Sequence, residues 1–169
     1  KWLLFSRSPE KSETDVITYK FRPETVDEFL EDMIMAHVYC GAMCYPEKNR
    51  TNVEEYFKRR GYGGYLLYDF NPKTGKFKDT AGWWNHSYIV DENITKLAQD
   101  IVKNVHRCKH LPLLEEYLTF GGRERLTDHD LIAAKLGTLI AEENAFFKYY
   151  ISRSYKIDVT GWTPWEPKL

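Results

Sequence analysis

The sequence has almost no excess charge and few cysteines. Its 169 residues carry 24 Lys and Arg against 25 Asp and Glu, a formal net charge of −1. Such a balance gives no overall field that would attract nucleic acid, although a local basic patch is compatible with it. The three cysteines, Cys40, Cys44 and Cys108, have no metal-site spacing. We interpret Cys40 and Cys44 as small buried thiols and expect a reducing compartment.

Other familiar signals are also missing. No apolar run approaches the ~20 residues of a membrane span, and no signal peptide is visible, so no membrane association is expected. There is no G-x-x-x-x-G-K-[ST] loop, which argues against ATP binding of that kind. The histidines show no ligand spacing. The first residue is Lys1 rather than Met, from which we expect a fragment or a processed product.

The composition that remains is that of an ordinary globular protein with many aromatic residues. Apolar residues make up 43% and charged residues 29%, with 12 Tyr, 5 Trp and 9 Phe. The length suits one domain with a substantial core. We see no repeat, no low-complexity segment and no second domain.

Hydrophobic periodicity predicts alternating strands and helices in the first half of the chain. Strands are predicted over residues 2–5, 16–21, 42–45 and 64–68, with a loop over residues 6–14. Capping boxes predict helices that open at Thr25 and at Thr51 and end at Gly41 and Gly61. This order predicts a parallel sheet core beside an antiparallel N-terminal hairpin.

The second half is predicted to be mostly helical. A turn over residues 71–76 predicts a protruding β-hairpin. Asp91 is predicted to cap a long helix, and Pro112 suits the first turn of a short one. A final helix is predicted from about residue 127 to Tyr150. Residues 1–153 then form one α/β domain, and residues 154–169 an irregular C-terminal tail.

Carboxylates at two predicted element boundaries are the candidate site. Glu47 follows the buried strand 42–45, where functional groups collect in α/β sheets. Asp128 and Asp130 stand where the final helix begins. Carboxylates brought together from separate elements are ligands that Mg²⁺ prefers. The alternatives are that Glu47 is a solvated loop acid and that Thr127 and Asp130 form a capping box.

Weaker candidates surround these acids. Asp69 follows strand 64–68 but more readily serves the turn after it. Basic side chains that could contact phosphates form four clusters, although such clusters are usually ordinary solvated surface. They are Arg59 and Arg60, then Lys73 and Lys76 with Lys78 on the predicted hairpin, then Arg107 and Lys109 with His110, and then Arg123 and Arg125.

Read in order, these segments resemble the C-terminal nuclease domain of tailed-phage large terminases. The resemblance spans about residues 16–141. It is carried by Tyr45-Pro46-Glu47-Lys48-Asn49, then Gly64-Tyr65-Leu66-Leu67-Tyr68, then His110-Leu111-Pro112-Leu113-Leu114-Glu115-Glu116, and then Asp128-His129-Asp130-Leu131-Ile132-Ala133-Ala134. No segment is diagnostic alone; their order and spacing are moderately specific.

The resemblance implies an RNase H-like mixed sheet flanked by helices and a two-metal site for Mg²⁺ or Mn²⁺. Glu47 matches the family's acid after a central strand. Asp130, followed by Ala134 and Gly137, matches the acid of the final helix, with Asp128 nearby. The implied activity is endonucleolytic cleavage of concatemeric double-stranded DNA. The implied partners are that DNA, the terminase ATPase domain, the portal and the small terminase subunit, in the host cell cytoplasm.

One expected acid has no counterpart. The family places an Asp on the first strand, where this chain has Ser6 or Ser8. A substituted acid, a naturally weakened nuclease and a shifted alignment of the first strand all stay open, with Asp15 as a displaced substitute. The alternative function is therefore an inactive RNase H-like domain that docks onto DNA, portal or other virion proteins.

Overall fold

The computed structural model of the chain describes residues 2–8, 12–48, 52–71 and 73–143. It is a mixed α/β fold. The strands are β1 (Trp2–Ser8), β2 (Ser12–Tyr19), β3 (Tyr68–Asn71) and β4 (Lys76–Ala81). The helices are α1 (Val26–Cys40), α2 (Val53–Arg59), α3 (Ser87–Asn104), α4 (Leu111–Thr119) and α5 (Asp130–Glu142). Short 3₁₀ turns cover Gly63–Tyr65, Val105–Arg107 and Arg123–Asp128. The proposed tail, residues 154–169, and the predicted helix end at Tyr150 lie outside the described residues.

The N-terminal hairpin is confirmed, but its strands are longer than predicted. β1 pairs with β2 antiparallel from Trp2 opposite Tyr19 to Ser8 opposite Ser12. The predicted loop over residues 6–14 is therefore wrong at both of its ends. Strand pairing satisfies backbone groups whatever the side chain, so polar Ser and Thr residues can extend a ladder that apolar residues begin.

The start and end of α1 follow the local signals in the sequence. Thr25 accepts a hydrogen bond from the Glu28 amide while the Glu28 side chain accepts one from the Thr25 amide, a complete capping box. Gly41, at φ 61°, ends the helix in the left-handed region and donates its N–H to the carbonyls of His37 and Val38. The buried face of α1 carries Leu30, Met33, Ile34 and His37.

The central segment, residues 44–48, makes parallel contacts without forming a full strand. It bridges Leu66 through Cys44 and Trp83 through Glu47, both in parallel orientation. The Cys44 amide donates to the Tyr65 carbonyl at 2.7 Å, and the Lys48 amide donates to the Trp83 carbonyl at 3.0 Å. Predicted strand 42–45 is thus reduced to bridges, and predicted strand 64–68 opens as a 3₁₀ turn at a Gly-Gly pair.

The β3–β4 hairpin protrudes, as predicted, between Leu66 and Trp83, the two residues that bridge the central segment. The Gly82 amide donates to the Leu67 carbonyl at 3.0 Å, which closes the base of the hairpin. The hairpin therefore begins after Leu67 and ends before Gly82. Among the described residues the strands form two separate two-stranded antiparallel sheets. The structure does not show the single RNase H-like mixed sheet that was predicted.

The starts of α2 and α3 differ from the prediction. α2 begins at Val53 with Asn52 at its N-cap, and the predicted capping residue Thr51 lies outside the described residues. α3 begins at Ser87 with His86 at its N-cap, and Asp91 lies in its second turn, where it pairs with Arg123 instead of capping. α5 begins at Asp130 after a 3₁₀ turn. Pro112 lies in the first turn of α4, as predicted. Of the helices described, none is both long and apolar enough to span a membrane.

Trp83 and Gly137 bring the two main parts of the core together. One cluster packs α1 and α2 on the central segment, with Phe57 fully buried, and the other lies between α3 and α5 around Leu97. Trp83 is 6% exposed, and a Cβ added to Gly137 would lie 3.2 Å from its Nε1. The absence of a side chain at Gly137 therefore lets the indole lie directly on α5. Cys44 is buried as predicted, whereas Cys40 is only half-buried.

Candidate active site

Glu47 lies at the end of the central segment, as the sequence predicted. Its backbone bridges Trp83, and its half-buried carboxylate accepts a hydrogen bond from the Asn85 amide group at 3.1 Å. The side chain is therefore oriented by the chain that returns from the hairpin.

Lys48 extends from the same segment toward the hairpin. Its ammonium group donates to the Thr80 hydroxyl at 2.8 Å and lies 5.7 Å from the centre of the Trp84 ring. Burial lowers the pKa of Lys48, and nearby Asp69 acts in the opposite direction. The ammonium group itself is thus partly desolvated.

Asp128 and Asp130 are both exposed at the start of α5. Asp128 lies in the 3₁₀ turn, 3.9 Å from Arg125, and Asp130 is the first helical residue. The alternative of a capping box between Thr127 and Asp130 is wrong, because the N-cap residue is His129 and no side chain of the segment caps from there. Asp130 therefore lies at the N-terminus of α5, where acidic residues are favourable.

The true cap of α5 comes from α4. The Glu116 side chain, on a residue only 6% exposed, accepts hydrogen bonds from the amides of Leu131 at 2.9 Å and Ile132 at 3.2 Å. Its other oxygen lies 3.5 Å from the Lys20 ammonium. The sequence analysis missed this role. The available signal was an acid three residues after Leu113, on the apolar face of α4.

Asp69 serves the hairpin base and not the turn after β3. It accepts hydrogen bonds from the Tyr45 hydroxyl and, at 2.8 Å, from the Lys78 ammonium across the hairpin. Glu54 performs a similar task from α2, because it accepts from the Ala81 amide at 3.0 Å. Asp69 thus joins the hairpin to the central segment, and Glu54 joins it to α2.

The predicted basic residues are distributed over three segments. Arg59 and Arg60 end α2, Lys73 and Lys76 occupy the hairpin, and Arg107 and Lys109 lie between α3 and α4; all six are exposed. Arg60 pairs with Glu31, and Arg59 lies 4.8 Å from the Tyr56 ring centre. Arg60 is thus already neutralised in part, which makes the hairpin lysines better phosphate candidates.

The acids are of the right chemical type for Mg²⁺ or Mn²⁺ but do not form a complete ligand set. Within residues 2–8, 12–48, 52–71 and 73–143, no group of three or more His, Cys, Asp or Glu side chains is arranged to hold a metal ion. Glu47 and Asp130 come from separate elements, as such a site requires.

No family model, curated protein or solved structure matches this chain.

Proposed function

We propose that this chain is the endonuclease domain of a tailed-phage DNA-packaging terminase, with an RNase H-like fold. Glu47 carries the proposal, because it is held by Asn85 at the end of the only parallel-bridged segment of the described residues. Asp130 on α5 is the second carboxylate, with Asp128 beside it. The order along the chain of the segments that resemble the terminase nuclease domain supports the same function.

In this proposal the chain holds metal ions and DNA at one edge. Bound Mg²⁺ or Mn²⁺, two ions in the scheme that the resemblance implies, would activate water and stabilise the leaving oxygen of a phosphodiester. Glu47 and Asp130 would supply carboxylate oxygens. The hairpin lysines Lys73 and Lys76 would contact backbone phosphates without reading sequence. The partners would be double-stranded DNA, the terminase ATPase domain, the portal and the small terminase subunit, in the host cell cytoplasm.

The missing third carboxylate favours a second candidate, an inactive domain of the same fold that docks onto DNA, portal or other virion proteins. A serine hydroxyl at Ser6 or Ser8 does not replace a charged ligand shared by two divalent cations. Such a domain would keep Glu47 only as a partner of Asn85. Calorimetric titration separates the two candidates, because the docking domain should bind no Mn²⁺ through carboxylates.

Plasmid cleavage tests the nuclease directly. With Mn²⁺, we expect nicked or linear plasmid from the native chain, and a loss of at least about 100-fold in rate for Glu47→Gln and Asp130→Asn, typical of lost catalytic groups. Glu92→Gln, an exposed acid on α3, is the matched control and should cleave like the native chain. Ser8→Asp should raise the rate if the first-strand acid has been substituted.

The proposal is wrong if neither the native chain nor Ser8→Asp cuts plasmid with Mn²⁺. It is also wrong if cleavage persists in Glu47→Gln at the native rate, since the activity would then come from elsewhere. Calorimetry on the same variants shows whether lost cleavage follows lost Mn²⁺ binding.

A further inference from the structure

Three aromatic rings stand in a row immediately beside the candidate carboxylate. The ring centres of Trp84 and His86 are 5.8 Å apart with planes inclined by 14°, and those of His86 and Tyr88 are 5.8 Å apart at 16°. The three alternate residues lie where the chain runs from the bridge at Trp83 into the first turn of α3. We call Trp84, His86 and Tyr88 the aromatic ladder.

The aromatic ladder is in solvent. Trp84 is 48% exposed and Tyr88 is 60% exposed, and His86 is exposed between them. Trp83, the preceding residue, is only 6% exposed because it packs on α5. Isolated exposed aromatics are common on protein surfaces, but here three nearly parallel rings form one continuous exposed stack.

A cation is held at one end of the aromatic ladder. The Lys48 ammonium lies 5.7 Å from the Trp84 ring centre, and its bond to the Thr80 hydroxyl keeps it there. Asn85, between the first two rings in sequence, donates to Glu47. The aromatic ladder, the Lys48 ammonium group and the Glu47 carboxylate are therefore neighbours.

We propose that the aromatic ladder binds the unpaired bases of single-stranded DNA by stacking, with Lys48 contacting a backbone phosphate. Exposed rings combined with cations are the means by which proteins bind single strands without sequence preference. In an intact duplex the base faces are covered by their neighbours, so the ladder selects an opened or frayed strand. This proposal rests on the proposed nuclease function, because strand cleavage beside Glu47 creates such ends.

The test is fluorescence anisotropy with a labelled oligothymidylate of about 12 nucleotides, a length within the range of single-strand sites. The full chain is used in EDTA, so that no metal-dependent cleavage takes place. We expect the native chain to bind the single strand more tightly than a duplex of equal length. Trp84→Ala and Tyr88→Ala should each weaken binding roughly tenfold, the usual effect of losing one stacked base, while Tyr88→Phe should bind like the native chain.

Tyr39→Ala is the matched control, since Tyr39 on α1 is 89% exposed and belongs to no ring stack among the described residues. It should leave binding unchanged, and circular dichroism should show every variant folded. No binding by the native chain, equal binding of duplex, or native affinity in both alanine variants would overturn the proposal. So would a loss in Tyr88→Phe equal to that in Tyr88→Ala, because the ring would then not be the contact.

Failure of the nuclease proposal is distinguishable from failure of this one. Plasmid left intact with Mn²⁺ by both the native chain and Ser8→Asp, together with oligonucleotide binding that depends on Trp84 and Tyr88, would contradict the nuclease and support the ladder. Cleavage that depends on Glu47, together with ring variants that bind like the native chain, would support the nuclease and overturn the ladder.

Discussion

Removing the Glu116 carboxylate should destabilise the whole C-terminal half of the described chain. One oxygen of this carboxylate accepts hydrogen bonds from two buried backbone amides in the first turn of α5, those of Leu131 and Ile132. A hydrogen bond to a charged group contributes roughly 1.5 kcal/mol at the low end, so the two bonds contribute about 3 kcal/mol. Lys20, whose side chain is 34% exposed, adds less than about 1 kcal/mol.

We therefore expect Glu116→Ala to lower the free energy of unfolding by about 3 kcal/mol. For a chain of this size each kcal/mol moves Tm by roughly 2–4 °C, which corresponds to a decrease of about 6–12 °C. Glu116→Gln keeps a carbonyl acceptor and loses only the charge, so its cost should be about 1 kcal/mol. Urea unfolding followed by circular dichroism gives these values.

Glu115→Ala is the control for this prediction. Glu115 is the exposed neighbour on the same helix, so the same change of residue type should cost within about 0.5 kcal/mol. If Glu116→Ala unfolds at the same urea concentration as Glu115→Ala, the carboxylate does not cap α5 and the reasoning is refuted.

Two further predictions concern Gly82 and His37. A Cβ on Gly82, at φ 81°, would overlap the Pro46 carbonyl oxygen, so Gly82→Ala should lower the free energy of unfolding in urea by at least about 2 kcal/mol. The control Gly64→Ala, where a Cβ meets open space, should cost under about 1 kcal/mol. Equal costs for the two variants would contradict this prediction. Burial lowers the pKa of His37 to about 4. Below pH 6.5, the ordinary pKa of histidine, the His37 side chain takes up a proton in the unfolded chain but not in the folded chain. Stability should therefore fall by up to about 3 kcal/mol between pH 6.5 and 4. His37→Gln should remove that part of the slope, and an unchanged slope would refute the assignment.

Local signals predicted those elements whose ends are decided within a few residues. The Thr25–Glu28 capping box and Gly41 bound α1 because each donor and acceptor is at most four positions away. The turn over residues 71–76 and Pro112 succeed for the same reason. A polar stretch misled the prediction over residues 6–14, because strand pairing there is supplied by the partner strand.

The candidate site was predicted only in part. Glu47 was found because a polar residue after a short apolar run marks a strand end. Its partner Asn85 is 38 positions away, and no pattern in the sequence connects the two. The aromatic ladder was not predicted, because parallel ring planes depend on how the chain enters α3.

The sequence by itself determined where α1 begins and ends, where the hairpin turns and that Glu47 lies at the end of the central segment, because these depend on near neighbours in the chain. Only the tertiary structure decided that Glu116 caps α5, that Trp83 lies on Gly137, and that Asn85 orients Glu47. Each of these contacts joins residues at least 15 positions apart. Such pairs form because burying both elements removes their polar groups from water, and those groups then bond to whichever partner the packing brings within reach.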